Sequence, residues 1–169
     1  MNVVPVTVVE RKEKTMRVEV SDLSGWESVD ERVSELVIAS QCCNEVGVKE
    51  VDLERFVSLK VFEVGDECFE NVEEVKLIVL NQLETVVIGQ KCFTKKKNRW
   101  ENNPDRHFYL KNCEQLRELK IGRDSFSDYS VCEIDSLPSL EVIEMGEANE
   151  WSNSGIFYHA SLELKSDCD

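Results

Sequence analysis

Histidine is almost missing from this chain: two residues in 169, His107 and His159. Basic side chains are also scarce, 20 against 34 acidic ones, which leaves a formal net charge of −14. That balance speaks against binding a phosphate backbone, which needs clustered Lys and Arg, and against broad attachment to an anionic membrane surface. No apolar run approaches the roughly 18 residues that a spanning helix requires. The apolar-rich start, Met1 to Val9, is interrupted by Asn2, Pro5 and Thr7 and follows no basic segment, so it does not read as a signal peptide. There is no Walker loop, no Gly-x-Ser-x-Gly elbow and no Gly-x-Gly-x-x-Gly turn. These deficits point away from nucleic acid, membrane and the common catalytic scaffolds. They leave an acidic, single-domain chain, 41% apolar, with enough material for one continuous core.

What is present is repetition. Leu59-Lys60-Val61-Phe62-Glu63-Val64-Gly65 is followed by Cys68-Phe69, and Leu83-Glu84-Thr85-Val86-Val87-Ile88-Gly89 by Cys92-Phe93. Leu116-Arg117-Glu118-Leu119-Lys120-Ile121-Gly122 leads to Ser125-Phe126. Leu140-Glu141-Val142-Ile143-Glu144-Met145-Gly146 follows, with Trp151 near the place of the Phe. The anchor leucines step by 24, 33 and 24 residues, a period typical of stacked repeats. Apolar residues also recur eight, six and three positions before each anchor, as in Val51, Leu53, Phe56 and Val75, Leu77, Leu80. Each unit therefore holds two short strands of period two. A weaker copy runs through Val33, Leu36, Ile38, Ala39, Cys42 and Cys43. Val18, Val20, Leu23 and Trp26 match the pre-anchor half of one more, and Leu162 starts an incomplete last one. Such a unit cannot bury its own apolar side and needs neighbours above and below. Phe69, Phe93 and Phe126 are expected to form an inward column. The repeated Gly serves either a turn with φ > 0 or close approach of the next unit.

The motif Leu-x-x-φ-x-φ-Gly-x-x-Cys/Ser-Phe, where φ is apolar, resembles the leucine-rich repeat superfamily, most closely its irregular BspA-like class. The resemblance covers roughly residues 18–165. It implies a mainly β, leucine-rich-repeat-like solenoid of about five two-strand repeats, and a non-catalytic scaffold for recognising a protein or peptide. It also admits an alternative, a fragment of a surface adhesin or receptor, which would be extracellular. In this reading residues 1–32 form an N-terminal cap and degenerate first repeat, with Val3 to Val9 and Thr15 to Val20 as a β-hairpin. Residues 33–169 form the solenoid, as a monomer or as part of a longer array.

The seven cysteines are an odd number. Cys42, Cys68 and Cys92 share one repeat slot that Ser125 fills elsewhere, so the slot wants a small side chain and not a disulfide partner. Cys113 and Cys132 fall at inward sites, where free Cys acts as a small hydrophobe. Buried free thiols and a cytoplasmic, reducing setting are expected. No Cys/His spacing suggests a metal, and no signature suggests a cofactor. A thiol-dependent enzyme would need a Cys113–His107 pair, although repeat phase already accounts for Cys113.

Two candidate partner surfaces remain. The first is an insertion, Thr94 to His107, nine residues longer than its counterparts and basic around one Trp: Lys95, Lys96, Lys97, Arg99, Trp100 and Arg106. Insertions in repeat proteins become loops on one face, often the binding face. This loop is expected to project while Phe93 and Phe108 stay in the core, so that replacing Asn98 to Arg106 by a short linker spares folding. The second is the outward side of the post-anchor strands: Val61 and Glu63, Thr85 and Val87, Glu118 and Lys120, Val142 and Glu144.

Overall fold

The computed structural model describes residues 15–95, 103–146, 155–157 and 160–165. The expected hairpin partner Val3 to Val9 lies outside them. The chain is mainly β, with two parallel sheets. The strands are β1 (Arg17–Val20), β2 (Glu35–Ile38), β3 (Glu50–Asp52), β4 (Val61–Val64), β5 (Glu74–Ile78) and β6 (Thr85–Ile88). They continue as β7 (Asn103–Lys111), β8 (Glu118–Ile121), β9 (Tyr129–Asp135), β10 (Val142–Met145) and β11 (Ser161–Lys165). One short helix, α1 (Leu23–Glu27), follows β1 and is capped by the Asp22 carboxylate, which accepts from the Gly25 N–H at 2.7 Å. The first sheet has the order β1-β2-β4-β6-β8-β10 and the second β11-β9-β7-β5-β3. Each repeat thus gives its post-anchor strand to the first sheet and its pre-anchor strand to the second. Among the described residues no helix is long and apolar enough to cross a membrane.

Register keeps the repeat in phase. Leu36, Phe62, Val86, Leu119 and Ile143 are consecutive partners across the first sheet. In β2, β4, β6 and β8 burial alternates along the strand, because successive side chains point to opposite faces. The aromatic slots stack: Phe69 on Phe93 at 5.1 Å, Phe93 on Phe126 at 4.7 Å and Phe126 on Phe157 at 4.9 Å between ring centres. Phe157 therefore fills the fourth aromatic place for which the sequence suggested Trp151, itself outside the described residues. Trp26 closes the other end, edge-on to Phe69 at 5.5 Å.

A second correction concerns the start. Val18 and Val20 pair with Leu36 and Ile38, so β1 is a post-anchor strand of the first sheet, not the pre-anchor half of a unit. At the other end Leu162 pairs with Cys132 in the second sheet, the pre-anchor position.

Gly65, Gly89 and Gly122 mark close approach. A Cβ on Gly89 would lie 2.7 Å from the Gly65 carbonyl carbon, and one on Gly122 would lie 2.5 Å from that of Gly89. Of the four repeat glycines only Gly146 takes a positive φ, at +73°; in the earlier units positive φ falls on neighbouring corner residues, at +53° for Lys91 and +54° for Phe93. Lys91 donates its N–H forward to Arg123 O and Phe93 donates backward to Cys68 O, so the left-handed turns keep the unit-to-unit ladder intact at the corner. The Cys/Ser slot adds a side-chain ladder. Cys68 Sγ donates to Ala39 O at 3.0 Å, Cys92 Sγ to Gly65 O at 2.9 Å and Ser125 Oγ to Gly89 O at 2.7 Å.

Candidate functional site

The eight outward residues read from the repeat phase come together on the first sheet. Parallel register places Val61, Thr85, Glu118 and Val142 in one row and Glu63, Val87, Lys120 and Glu144 in the next. Glu35 and Val37 of β2 extend the two rows, since they pair with Val61 and Glu63. Sequence reasoning did not include this pair. Its signal was the phase of the weak copy, in which Glu35 and Val37 lie two and four residues after Val33. On the C-terminal side the charges bind one another: Lys120 Nζ lies 2.6 Å from Glu118 and 3.8 Å from Glu144. The Glu118 carboxylate holds the Lys120 ammonium above its ordinary pKa, with Glu144 adding to it. On the N-terminal side Arg17 bridges Glu35 at 3.2 Å. Between them lie Val37, Val61, Thr85 and Val87 together with the one carboxylate of Glu63, all half-buried by their sheet neighbours. At the strand ends, Ile88, Gln90, Lys120, Ile121, Gly122, Arg123, Glu144 and Gly146 surround a pocket of about 170 Å³.

The insertion divides. Lys96, Lys97, Arg99 and Trp100 lie outside the described residues. Lys95 is exposed, and its backbone N–H donates to Asp128 Oδ2 at 3.4 Å. Arg106 is a correction: it is fully buried and cannot grip a partner from a projecting loop. Residues 103–107 are the beginning of β7 and not part of a loop. The Arg106 guanidinium donates to Glu70 O at 2.6 Å, to Phe93 O at 3.2 Å and to Asp128 Oδ1 at 3.1 Å, so it joins three successive units. Its Nε is the one buried side-chain nitrogen or oxygen left without a partner among the described residues. Beside it the buried Tyr129 hydroxyl donates to Val72 O at 2.8 Å. Phe93 and Phe108 are core, as the phase required.

Comparison with family models, with curated proteins and with solved structures returns no match. The reading of the surface therefore rests on its own geometry.

The outward face of the second sheet is occupied with itself. Lys76 lies 2.6 Å from Glu50 and 3.0 Å from Glu74, and these carboxylates push its ammonium pKa up. Lys111 bonds Glu133 and lies over the Tyr109 ring, which packs edge-on against His107.

Cys42, Cys43, Cys68, Cys92, Cys113 and Cys132 are free and buried. Burial pushes the Cys113 thiol up to about 11 and that of Cys132 up to about 12. Cys113 Sγ donates to Leu77 O at 3.5 Å, whereas the His107 ring meets Pro104 O and the Tyr109 hydroxyl. Thiol and imidazole are thus engaged in separate directions. Among the described residues no group of three or more His, Cys, Asp or Glu could hold a metal ion.

Proposed function

We propose that this chain is a non-catalytic protein-interaction module, a leucine-rich-repeat-like solenoid that recognises a protein or peptide on the outward face of its first sheet. The observation that carries the reading is the contrast between the two outward faces. On the second sheet, lysines and carboxylates satisfy each other. On the first, Val37, Val61, Thr85 and Val87 surround a single carboxylate, Glu63, in a largely uncharged centre between paired charges, on a body of net charge −14. An apolar centre with a polar rim is the anatomy of a protein contact surface. The stacked parallel strands, one per repeat, support the solenoid description, and free buried thiols favour a reducing, cytoplasmic setting over a secreted one. The separate engagement of Cys113 and His107 favours binding over thiol chemistry.

Affinity capture from the native cell extract tests the reading. The intact chain is expected to retain a partner that a Val61→Glu, Val87→Glu double variant loses, because two desolvated carboxylates would be forced into the contact. Equal capture by both, with unchanged unfolding midpoints, would remove the first sheet as the recognition face.

A further inference from the structure

Between its two ends the inward row of the first sheet is sealed, with Val18 at the start half-buried. Leu36, Phe62, Val86 and Leu119 are wholly buried, yet Ile143, in the same register on β10, is 47% exposed. Val142 beside it is 37% exposed, and the anchor Leu140 is only half-buried where Leu59, Leu83 and Leu116 are inaccessible. Among the described residues no strand lies beyond β10 in this sheet. Val142 and Gly146 donate their N–H groups back to Arg117 O and Ile121 O on the β8 side. In a parallel ladder alternate residues face opposite neighbours, so the N–H and C=O groups of Ile143 and Met145 face the open side. An open edge above uncovered apolar side chains is a template for one more strand.

Charge decides what kind of strand fits. Glu144 is 61% exposed, and its one cross-strand cation, Lys120, stands on the closed side at 3.8 Å. A second copy of the chain is poorly suited. Continuing the register with its β1 would set Glu19 opposite Glu144, and its β3 would bring Asp52 to the position of Glu163. Like charges directly opposite are destabilising, and two bodies of −14 repel as they approach.

We propose that the free edge of β10 is a docking site for an extended basic peptide, which adds as a parallel strand. Its apolar side chains at alternate positions cover Ile143 and Met145, and the lysine or arginine between them faces Glu144. This site lies at the end of the sheet and is separate from the recognition face around Val61 and Val87.

The probe is a fluorescein-labelled peptide, Leu-Arg-Glu-Leu-Lys-Ile-Gly, copied from Leu116–Gly122, the segment whose strand already pairs with β10 from the closed side. Anisotropy with the full chain should show saturable binding that weakens as salt rises. Changing the probe's Lys to Glu should weaken binding about tenfold or more. Ile143→Ser, at an exposed position, should weaken it to a similar degree with the unfolding midpoint unchanged. Met145→Pro, which removes an N–H from the open side only, should weaken probe binding as well, with some loss of midpoint because the Met145 side chain packs against the core. Val61→Glu with Val87→Glu should leave probe binding intact, so the edge and the recognition face fail separately. Absence of saturable binding, or equal binding by wild type and Ile143→Ser, would overturn the proposal. Concentration-dependent self-association seen by sedimentation, and lost in Ile143→Ser, would assign the edge to a second copy and overturn the peptide.

Discussion

Two corners of this molecule hold neighbouring units together in different ways. At the corner after the first sheet, the same small parts recur: Gly65, Gly89 and Gly122 in backbone contact, and Cys68, Cys92 and Ser125 each donating to a carbonyl one unit back. At the corner that faces the start of β7, one long side chain is used once, Arg106 of β7 itself, spanning the units of Glu70, Phe93 and Asp128. The repeated corner distributes modest contributions over many sites. The unique corner concentrates a large one at a single buried charge, and its failure should be correspondingly abrupt.

The largest effect is therefore expected at Arg106. Arg106→Ala would leave the Asp128 carboxylate buried with no cation and strand two backbone carbonyls. Removing one member of a buried pair costs about 3–5 kcal/mol. Chemical denaturation should show that loss, and Arg106→Ala combined with Asp128→Ala should lose less than the sum of the single changes. Loop replacement sharpens the point. A Gly/Ser linker in place of residues 96–102 should leave the midpoint nearly unchanged, since closure entropy varies slowly with length. The same linker extended through Arg106 should lower it sharply. Equal effects from the two replacements would make the corner ordinary.

Gly89→Ala comes next. Its Cβ would sit 2.7 Å from the Gly65 carbonyl carbon and carbonyl oxygen, which are backbone and cannot swing aside. Overpacking of this kind costs about 1–3 kcal/mol. Gly47, where an added Cβ would meet nothing within 4 Å, is the control and should tolerate Ala. A Gly89→Ala protein as stable as Gly47→Ala would show that the units can separate there without cost.

The Cys slot separates packing from hydrogen bonding. Cys92 is inaccessible, so volume alone would favour Val over Ser. The bond from Cys92 Sγ to Gly65 O at 2.9 Å reverses that order, because Ser keeps a donor as Ser125 does and Val leaves the carbonyl unpaired. An unsatisfied buried acceptor costs about 1–3 kcal/mol. Cys92→Val should thus be less stable than Cys92→Ser by thermal unfolding. The opposite order would reduce the slot to a matter of size.

The same contrast explains what could be read in advance. The anchors, the Phe column and the outward rows Val61 to Val142 and Glu63 to Glu144 repeat, so each unit checks the phase of the next. Arg106 occurs once, and a charged residue in a basic insertion reads as exposed. Yet it lies two residues before Phe108 and four before Leu110, the buried parity of β7, and period two carried backwards would have placed it inward. Phe157 was hidden differently. The chain takes eleven residues from Gly146 to the aromatic slot, where four suffice after Gly65, so the nearer Trp151 drew the assignment. The uncovered end at Ile143 left no trace, since its pattern is identical to that of sealed units.

The smallest expected effect is a gain, at a third kind of corner. Val79 has φ +56°, and the equivalent residues in the next two units, Asn112 and Ser136, have φ +54° and +55°. The backbone demands this conformation because the Val79 N–H must reach Lys111 O at 3.0 Å, as that of Asn112 reaches Asp135 O at 3.1 Å. A β-branched side chain is crowded there, whereas Asn enters the left-handed region readily. Val79 is 53% exposed, so little packing is lost on replacing it. Relief of such strain is worth on the order of 1 kcal/mol. Val79→Asn should therefore raise the unfolding midpoint, and Val79→Gly should raise it less, because glycine's looser unfolded chain offsets part of the gain. A midpoint lowered by Val79→Asn would mean that the valine methyls make a contact outweighing the strain.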